Sequence, residues 1–409
     1  MSVRKRDWVT KGGERKSAWI VDYFDVSGTR RQKTFRLKKE ADAFAAIATV
    51  EVRAGTHVAD AASATIAEAA ELWIKGGGIE ELELSTLDQR RQHVDLHIKP
   101  FIGSVLLSRF SVPGARAFQD QLRNSGRSIA MVRKVTTSLS SIMSDAMERG
   151  LIGRNPVREM KARRNSGHNA AQVKRQKGKL KVGVDIPTPE EAKAFVSALN
   201  GPWRAILLTA IFTGMRASEL RGLKWSAVDL EKRQIHVVER ADRYNSLGKP
   251  KSAAGERFIP IPPVVAKTLQ EWKLTLSEKR DTGGVAPREN VGLVFPNGAG
   301  KIQSLANIIN RGLCPMMVAA GLRYDSGRVD KQGHPIFKAK YSGMHALRHF
   351  YASWCINRKE DGGLGLPPKV VQERLGHATI ALTMDTYGHL FPRNNETDEM
   401  AQAEAAFFA

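Results

Sequence analysis

The chain has 409 residues, too many for one ordinary core, so two or three domains are expected. Its 64 Lys and Arg against 42 Asp and Glu leave a formal net charge of +22, spread along the chain, which points to a polyanionic partner and first of all to nucleic acid. Two cysteines, Cys314 and Cys355, exclude a disulfide framework and suit a reducing cytoplasm. The charged N-terminus does not read as a secretory signal, and no apolar run approaches the roughly 18 residues of a spanning helix, so no membrane role is expected.

Residues 1–57 are basic. Strand-like patches cover Ala18–Val26 and Arg31–Arg36, with Ser27-Gly28 as a hairpin turn between them. A helix is predicted from Lys39 to about Arg53, with Phe44, Ile47 and Val50 along one stripe and Gly55 ending it. A sheet and one helix make a small core, so partner binding is the expected use of this segment.

Residues 62–160 read as a helical bundle. Ile66, Ala69, Ala70, Trp73 and Ile74 make one face, and Gly76-Gly77-Gly78 is predicted to break that helix. Ser85-Thr86 reads as the cap of a second helix carrying Leu87, Val94 and Ile98, stopped by Pro100. Pro113 suits the first turn of a third helix containing Phe118 and Leu122. A fourth carries Val132, Val135, Leu139, Ile142 and Ala146 and ends near Gly150.

Residues 161–184 read as a basic linker, in which Lys174, Arg175, Lys177 and Lys179 are candidates for DNA contact. Such a charge run is often only a solvated surface; between two domains of a basic protein, contact with a phosphate backbone is the favoured reading. Residues 185–409 form the largest domain. Pro187-Thr188-Pro189-Glu190 starts a helix with Phe195 and Leu199 inside, and further helices are predicted over 203–212 and around 262–279, 303–320, 345–358, 367–375 and 378–387, with strands at Gln234–Glu239 and Arg257–Ile261. The fold class is therefore mainly α with small β-sheets.

The last domain carries the chemistry. Cleaving a phosphodiester with a side-chain hydroxyl needs an in-line nucleophile, cations on the non-bridging oxygens, and an acid for the departing sugar oxygen. Arg216 follows Gly214 at a helix start, where its fork can meet a phosphate, and Glu219 lies one turn on. His345 and Arg348 are three apart and share a helical face. His345 and His349 are four apart, but a zinc protease helix would need Glu at 346, which is Ala. Tyr387 stands in Asp385-Thr-Tyr-Gly-His-Leu390; with a free pKa of about 10 a tyrosine needs cations beside it to attack.

The order Arg216, Lys251, His345-x-x-Arg348, His377, Tyr387 resembles that of the tyrosine recombinases, the phage-type integrase family. The strings Thr-Gly-Met-Arg-Ala-Ser-Glu-Leu, His-Ala-Leu-Arg-His, Leu-Gly-His and Asp-Thr-Tyr-Gly-His-Leu are similar to that family's motifs. Upstream, Gly150–Val157 and Lys99–Gly103 resemble parts of its core-binding domain, and residues 1–57 resemble its arm-type DNA-binding domain in size, charge and strand pattern. The resemblance implies an arm-type domain (1–57), a helical core-binding domain (62–160), the linker, and a mixed α/β catalytic domain with a C-terminal tail.

It further implies that Arg216 and Arg348 clamp the scissile phosphate. His345 hydrogen-bonds the same phosphate and assists proton transfer at the tyrosine, and His377 donates to a non-bridging oxygen. Lys251, on a β-hairpin, protonates the leaving 5′ oxygen, with Lys249 as its rival on the same face. Tyr387 forms a 3′-phosphotyrosine bond. No cofactor or metal is implied. The implied partners are double-stranded DNA attachment sites, three further copies in a tetramer, and DNA-bending or directionality proteins, at a nucleoid-associated cytoplasmic location. His377 and Tyr387 stand ten apart, slightly more than in some members. Integration or excision of a mobile element, such as a prophage, is the expected role. The alternatives are resolution of replicon dimers and a non-catalytic DNA-binding relative.

Overall fold

The computed structural model describes residues 1–409 apart from 11, 27, 56, 161–178, 282–291 and 393–395. Lys174, Arg175 and Lys177 lie outside the described residues; Lys179 is described and exposed. The chain divides into two compact units, Met1–Arg164 and Asn165–Ala409.

The first unit opens with an antiparallel sheet of β1 (Ser2–Val9), β2 (Arg15–Phe24) and β3 (Arg30–Phe35), in which β2 is central. Strand β1 was not expected: its Arg, Lys and Asp content gives no apolar alternation, and it forms because β2 offers a full backbone edge from Ser2↔Asp22 to Val9↔Arg15. Helix α1 (Lys38–Arg53) packs on the sheet through Ala41, with Ala48 also buried. The expected stripe is only partly right. Phe44 packs on the sheet, whereas Ile47 and Val50 are 58 % and 67 % exposed. Small alanines face the sheet because they let the helix approach closely.

Asp60 ties the sheet to the helices that follow. It takes Lys33 Nζ at 2.9 Å from β3 and Ser108 Oγ at 2.7 Å. Helices α2 (Ile66–Ile79), α3 (Leu84–His93), α4 (Lys99–Ile102), α5 (Val112–Asn124), α6 (Ile129–Glu148) and α7 (Pro156–Glu159) enclose a core that includes Ile66, Phe118, Leu122, Leu139 and Ile142.

Three sequence expectations are corrected here. Helix α2 runs through Gly76–Gly78 instead of breaking. At Gly77 a Cβ would meet Leu82 at 3.0 Å and Leu87 at 3.1 Å, so glycine there permits close approach of the next helix. Ser85 and Thr86 lie inside α3; its N-cap is Glu83. Pro100 does not stop the helix, because a π turn over Val94–Ile98 absorbs the register change and the chain stays helical through α4.

In the second unit, α8 (Pro189–Ala198) begins with a capping box between Thr188 and Glu191. Helix α9 (Arg204–Thr213) is buried nearly all round and ends at Gly214, whose φ of 59° only glycine adopts readily. Helix α10 (Ala217–Gly222) follows. Strands β4 (Val228–Asp229), β5 (Gln234–Val237) and β8 (Arg257–Pro260) form one sheet, and β6 (Arg240–Ala241) pairs β7 (Leu247–Gly248). Then come α11 (Pro263–Asp281), α12 (Leu305–Asn307), a π turn (Ile308–Leu313) and α13 (Cys314–Ala319). An unexpected exposed hairpin of β9 (Arg323–Val329) and β10 (Pro335–Ala339) precedes α14 (His345–Ile356). The unit closes with α15 (Pro368–Leu375), α16 (Ile380–Tyr387) and α17 (Glu396–Phe408). Its core gathers Leu207, Leu208, Ile211, Leu347, Tyr351, Val371 and Tyr387.

Candidate active site

Two glycine-ended helices build the centre of the site. The last carbonyls of an α-helix have no partner in the helix, and arginine satisfies them here. Arg348 is 2 % exposed and donates to Gly214 O at 2.6 Å, past α9, and to Leu375 O at 2.5 Å, at the end of α15. Arg216 donates to Gly376 O at 3.0 Å. Burial, followed by the charge on Arg216, lowers the Arg348 pKa to about 10, so the guanidinium stays charged at neutral pH.

Arg216 is fixed a second time by Glu219, which accepts its backbone N–H at 2.9 Å and its guanidinium at 2.8 Å. Glu219 is buried and also pairs with Arg257, which leads β8. Burial alone raises a carboxyl pKa; the charges and hydrogen bonds of Arg257 and Arg216 outweigh it and hold Glu219 below the usual carboxylate value. Arg257 also donates to Arg374 O at 2.7 Å and Gly255 O at 2.8 Å.

Tyr387, the last residue of α16, is 1 % exposed. Burial pushes its phenol up to about 12, against the opposing charges of Arg348 and Arg216. His377 lies with its ring parallel to the Tyr387 ring at 6.3 Å, its Nδ1 is 2.9 Å from Thr383 Oγ1, and Gln372 Nε2 donates to its carbonyl at 2.8 Å. His345 packs edge-to-face on His349, 4.8 Å between ring centroids. His349 Nδ1 is 2.7 Å from the Tyr387 phenol oxygen. Burial, then neighbouring positive groups, lowers all three imidazoles: His349 and His377 to about 4, and His345 in the same direction.

Five of the six residues singled out in the sequence therefore meet around α14, α15 and α16: Arg216, His345, Arg348, His377 and Tyr387. The sixth, Lys251, is exposed and lies beyond the paired strands. The hairpin ends at Gly248 because Pro250 has no N–H to offer a ladder, so strand alternation does not put Lys249 and Lys251 on one face. The chain turns back at Ala253–Gly255 into β8. A Cβ on Gly376 would stand 2.8 Å from Ala254 O, so the segment carrying Lys251 is packed against the turn before His377. Lys179 precedes Leu180, whose carbonyl accepts from His389 Nε2 at 2.7 Å, two residues past Tyr387.

Sequence reasoning gave His349, Arg257 and Thr383 no role. His349 carried a signal, since it shares a face with His345 one helical turn away. Arg257 carried none, because its partner Glu219 is distant in the chain. Among the described residues, no group of three or more His, Cys, Asp or Glu could hold a metal ion, and no helix is long and apolar enough to cross a membrane.

A buried and a half-buried guanidinium, imidazoles held neutral at pH 7 and a buried phenol, clustered together, suit a phosphodiester. Residues 187–393 match the model of the phage integrase family. The chain is 24 % identical over 413 residues to a "Tyrosine recombinase XerC-like" protein of Caldanaerobacter subterraneus subsp. tengcongensis, covering 96 % of each. It is 24 % identical over 290 residues to the ICEBs1 integrase of Bacillus subtilis, covering 69 % of this chain and 67 % of that one. Its fold resembles the Tn1549 transposon integrase in complex with circular intermediate DNA (TM-score 0.58, 19 % identity, 85 % of this chain and 100 % of that one). It also resembles a lambda integrase tetramer bound to a Holliday junction (TM-score 0.51, 16 % identity, 91 % and 95 %). The chain belongs to the phage integrase family, the tyrosine site-specific recombinases.

Proposed function

We propose that this chain integrates or excises a mobile element, such as a prophage, by cutting and rejoining DNA through a 3′-phosphotyrosine bond at Tyr387. The observation that carries this reading is the clustering of Arg216, Arg348, His345 and His377 around the buried Tyr387 side chain. Arg216 and Arg348 hold the scissile phosphate, with His345 and His377 on its oxygens, and Lys251 protonates the leaving 5′ oxygen. The phosphotyrosine bond keeps the energy of the broken strand, so rejoining needs no ATP. Four copies act on two DNA sites, with α17 available for contacts between neighbours.

The basic linker, including Lys174, Arg175, Lys177 and Lys179, contacts the DNA backbone. The 62–160 bundle binds the crossover site and residues 1–57 a second, distant site, joined to the first by avidity. Mobile-element relatives support this role: one is named for ICEBs1 and a solved one for Tn1549. The alternative is resolution of replicon dimers by the same chemistry. Capture and sequencing of DNA covalently attached to Tyr387 tests the chemistry and yields the site. Tyr387→Phe that still exchanges strands, or wild type that yields no adduct, overturns the reading. Deletion of residues 1–57 then separates the roles: recombination of long sites is lost while a short core site is still cleaved, whereas an unaffected reaction favours dimer resolution.

A further inference from the structure

We infer that His349 is the general base of strand cleavage, taking the phenol proton of Tyr387 as the phenol oxygen attacks phosphorus. The inference rests on Tyr387 being the nucleophile. The resemblance to the family directs attention to His345 for proton transfer at the tyrosine; in this chain the imidazole within hydrogen-bond reach of the phenol is that of His349, at 2.7 Å. The two rings meet edge-on, with centroids 5.8 Å apart. The parallel ring of His377 has its Nδ1 against Thr383 Oγ1, which orients it without aiming that nitrogen at the phenol.

A base must be unprotonated at working pH, and its partner must need one. Both conditions hold. His349 is neutral at pH 7, because burial, then His345 and Arg348, disfavour its cation. The Tyr387 phenol is held protonated by burial. With the His349 proton on Nε2, Nδ1 accepts the phenol O–H. The groups bearing on His349 are His345 and Arg348 on its own helix, Tyr387 on α16, and Asp185 before α8, whose negative charge favours the imidazolium once formed.

The step balances. The Tyr387 O–H bond breaks and its proton goes to His349 Nδ1. The phenol oxygen bonds phosphorus, the bond from phosphorus to the 5′ oxygen breaks, and that oxygen takes a proton from the Lys251 ammonium. Rejoining runs in reverse: the 5′ hydroxyl gives its proton to Lys251, and His349 returns its proton to the departing phenolate.

The test uses the full-length protein and a nicked suicide duplex carrying the sequence recovered from the Tyr387 adduct. Glutamine can hydrogen-bond the phenol but cannot act as a base, so His349→Gln is expected to slow cleavage by roughly 10²–10⁴-fold with DNA affinity unchanged. Difluorotyrosine in place of Tyr387, whose phenol ionises far more readily, is expected to restore at least about tenfold of that loss by the same proton-transfer argument. A 5′-bridging phosphorothiolate substrate, whose sulfur leaves without a proton, restores Lys251→Ala but not His349→Gln. If His349→Gln loses DNA affinity, His349→Asn takes its place. A His349 variant that binds DNA and cleaves at the wild-type rate, while Tyr387→Phe is inactive, overturns the inference alone, as does rescue by the phosphorothiolate. Cleavage by Tyr387→Phe overturns the underlying reading instead.

Discussion

Arg257 and Glu219 stand 38 residues apart in the chain and form a buried ion pair, with N···O contacts of 2.9 and 3.2 Å. The pair is a junction. Glu219 holds Arg216 on one side, and Arg257 holds the carbonyls of Gly255 and Arg374 on the other. Through it the turn after Lys251, the end of α15 and the first phosphate-binding candidate share one rigid centre.

Removing the Glu219 charge leaves the buried Arg257 guanidinium with only the Gly255 and Arg374 carbonyls and no counter-charge. Glu219→Gln is expected to cost about 3–5 kcal/mol in urea unfolding, the usual range for a broken buried pair. Replacing both, Glu219→Leu with Arg257→Met, is expected to recover much of that stability. Cleavage is not expected to return with it, because Arg216 has still lost its tether. A double variant that regains full cleavage would show that the pair serves stability only.

Gly376 is a tight point of the site. Its φ is 63°, and a Cβ would meet both Ala254 O and Arg257 Nη1 at 2.8 Å. Gly376→Ala therefore combines backbone strain with displacement of Arg257, and its own carbonyl is the acceptor for Arg216. The expectation is a loss of cleavage larger than the loss of DNA affinity, measured side by side by gel shift and suicide cleavage. Gly214→Ala is expected to behave alike, since its Cβ would strike the Tyr351 ring.

The residues that cluster around Tyr387 were legible in the sequence because the chemistry expected of phosphodiester cleavage draws on few kinds of side chain, spaced along amphipathic helices. Arg216, His345, Arg348, His377 and Tyr387 could be named for that reason. The acceptors that aim the arginines were not legible, since backbone carbonyls of Gly214, Leu375 and Gly376 leave no mark in residue identity. The hairpin β9–β10 escaped for a related reason: its burial pattern is mostly exposed on both strands, so no period-2 apolar alternation announces it. Glycine misled in the opposite direction. Gly76–Gly78 suggested a break by propensity, while close packing around Gly77 keeps α2 helical.

Tyr387 is 1 % exposed, so a DNA phosphate reaches its phenol only if the end of α16 or the turn after it moves. In the free protein, limited nitration is expected to modify Tyr324 and Tyr244, which are 53 % and 40 % exposed, well before Tyr387. Bound DNA that opens the pocket should bring Tyr387 into reaction, read by peptide mass spectrometry with Arg348→Ala to slow cleavage. Equal early modification of all three residues in free protein would contradict the buried phenol.

The buried imidazoles also make stability depend on pH. In the folded unit His349 and His377 are held at about 4, by burial first and then by His345 or Arg348; in the unfolded chain both titrate near 6.5. Between those values the unfolded chain binds more protons, so stability rises with pH. Their contribution is complete above about 6.5 and is lost as pH falls toward 4, each adding at most ~1.4 kcal/mol per pH unit. His345 is shifted the same way. Glu219 acts lower: its folded value lies below 4.5, so its share disappears only as pH falls beneath that point. Hydrogen exchange of the α14 amides between pH 7 and 5, corrected for intrinsic rates, isolates the histidines of this unit. Protection is expected to fall across that range and to fall less steeply in His377→Gln. Protection that stays flat from pH 7 to 5 would mean that these imidazoles are not held neutral.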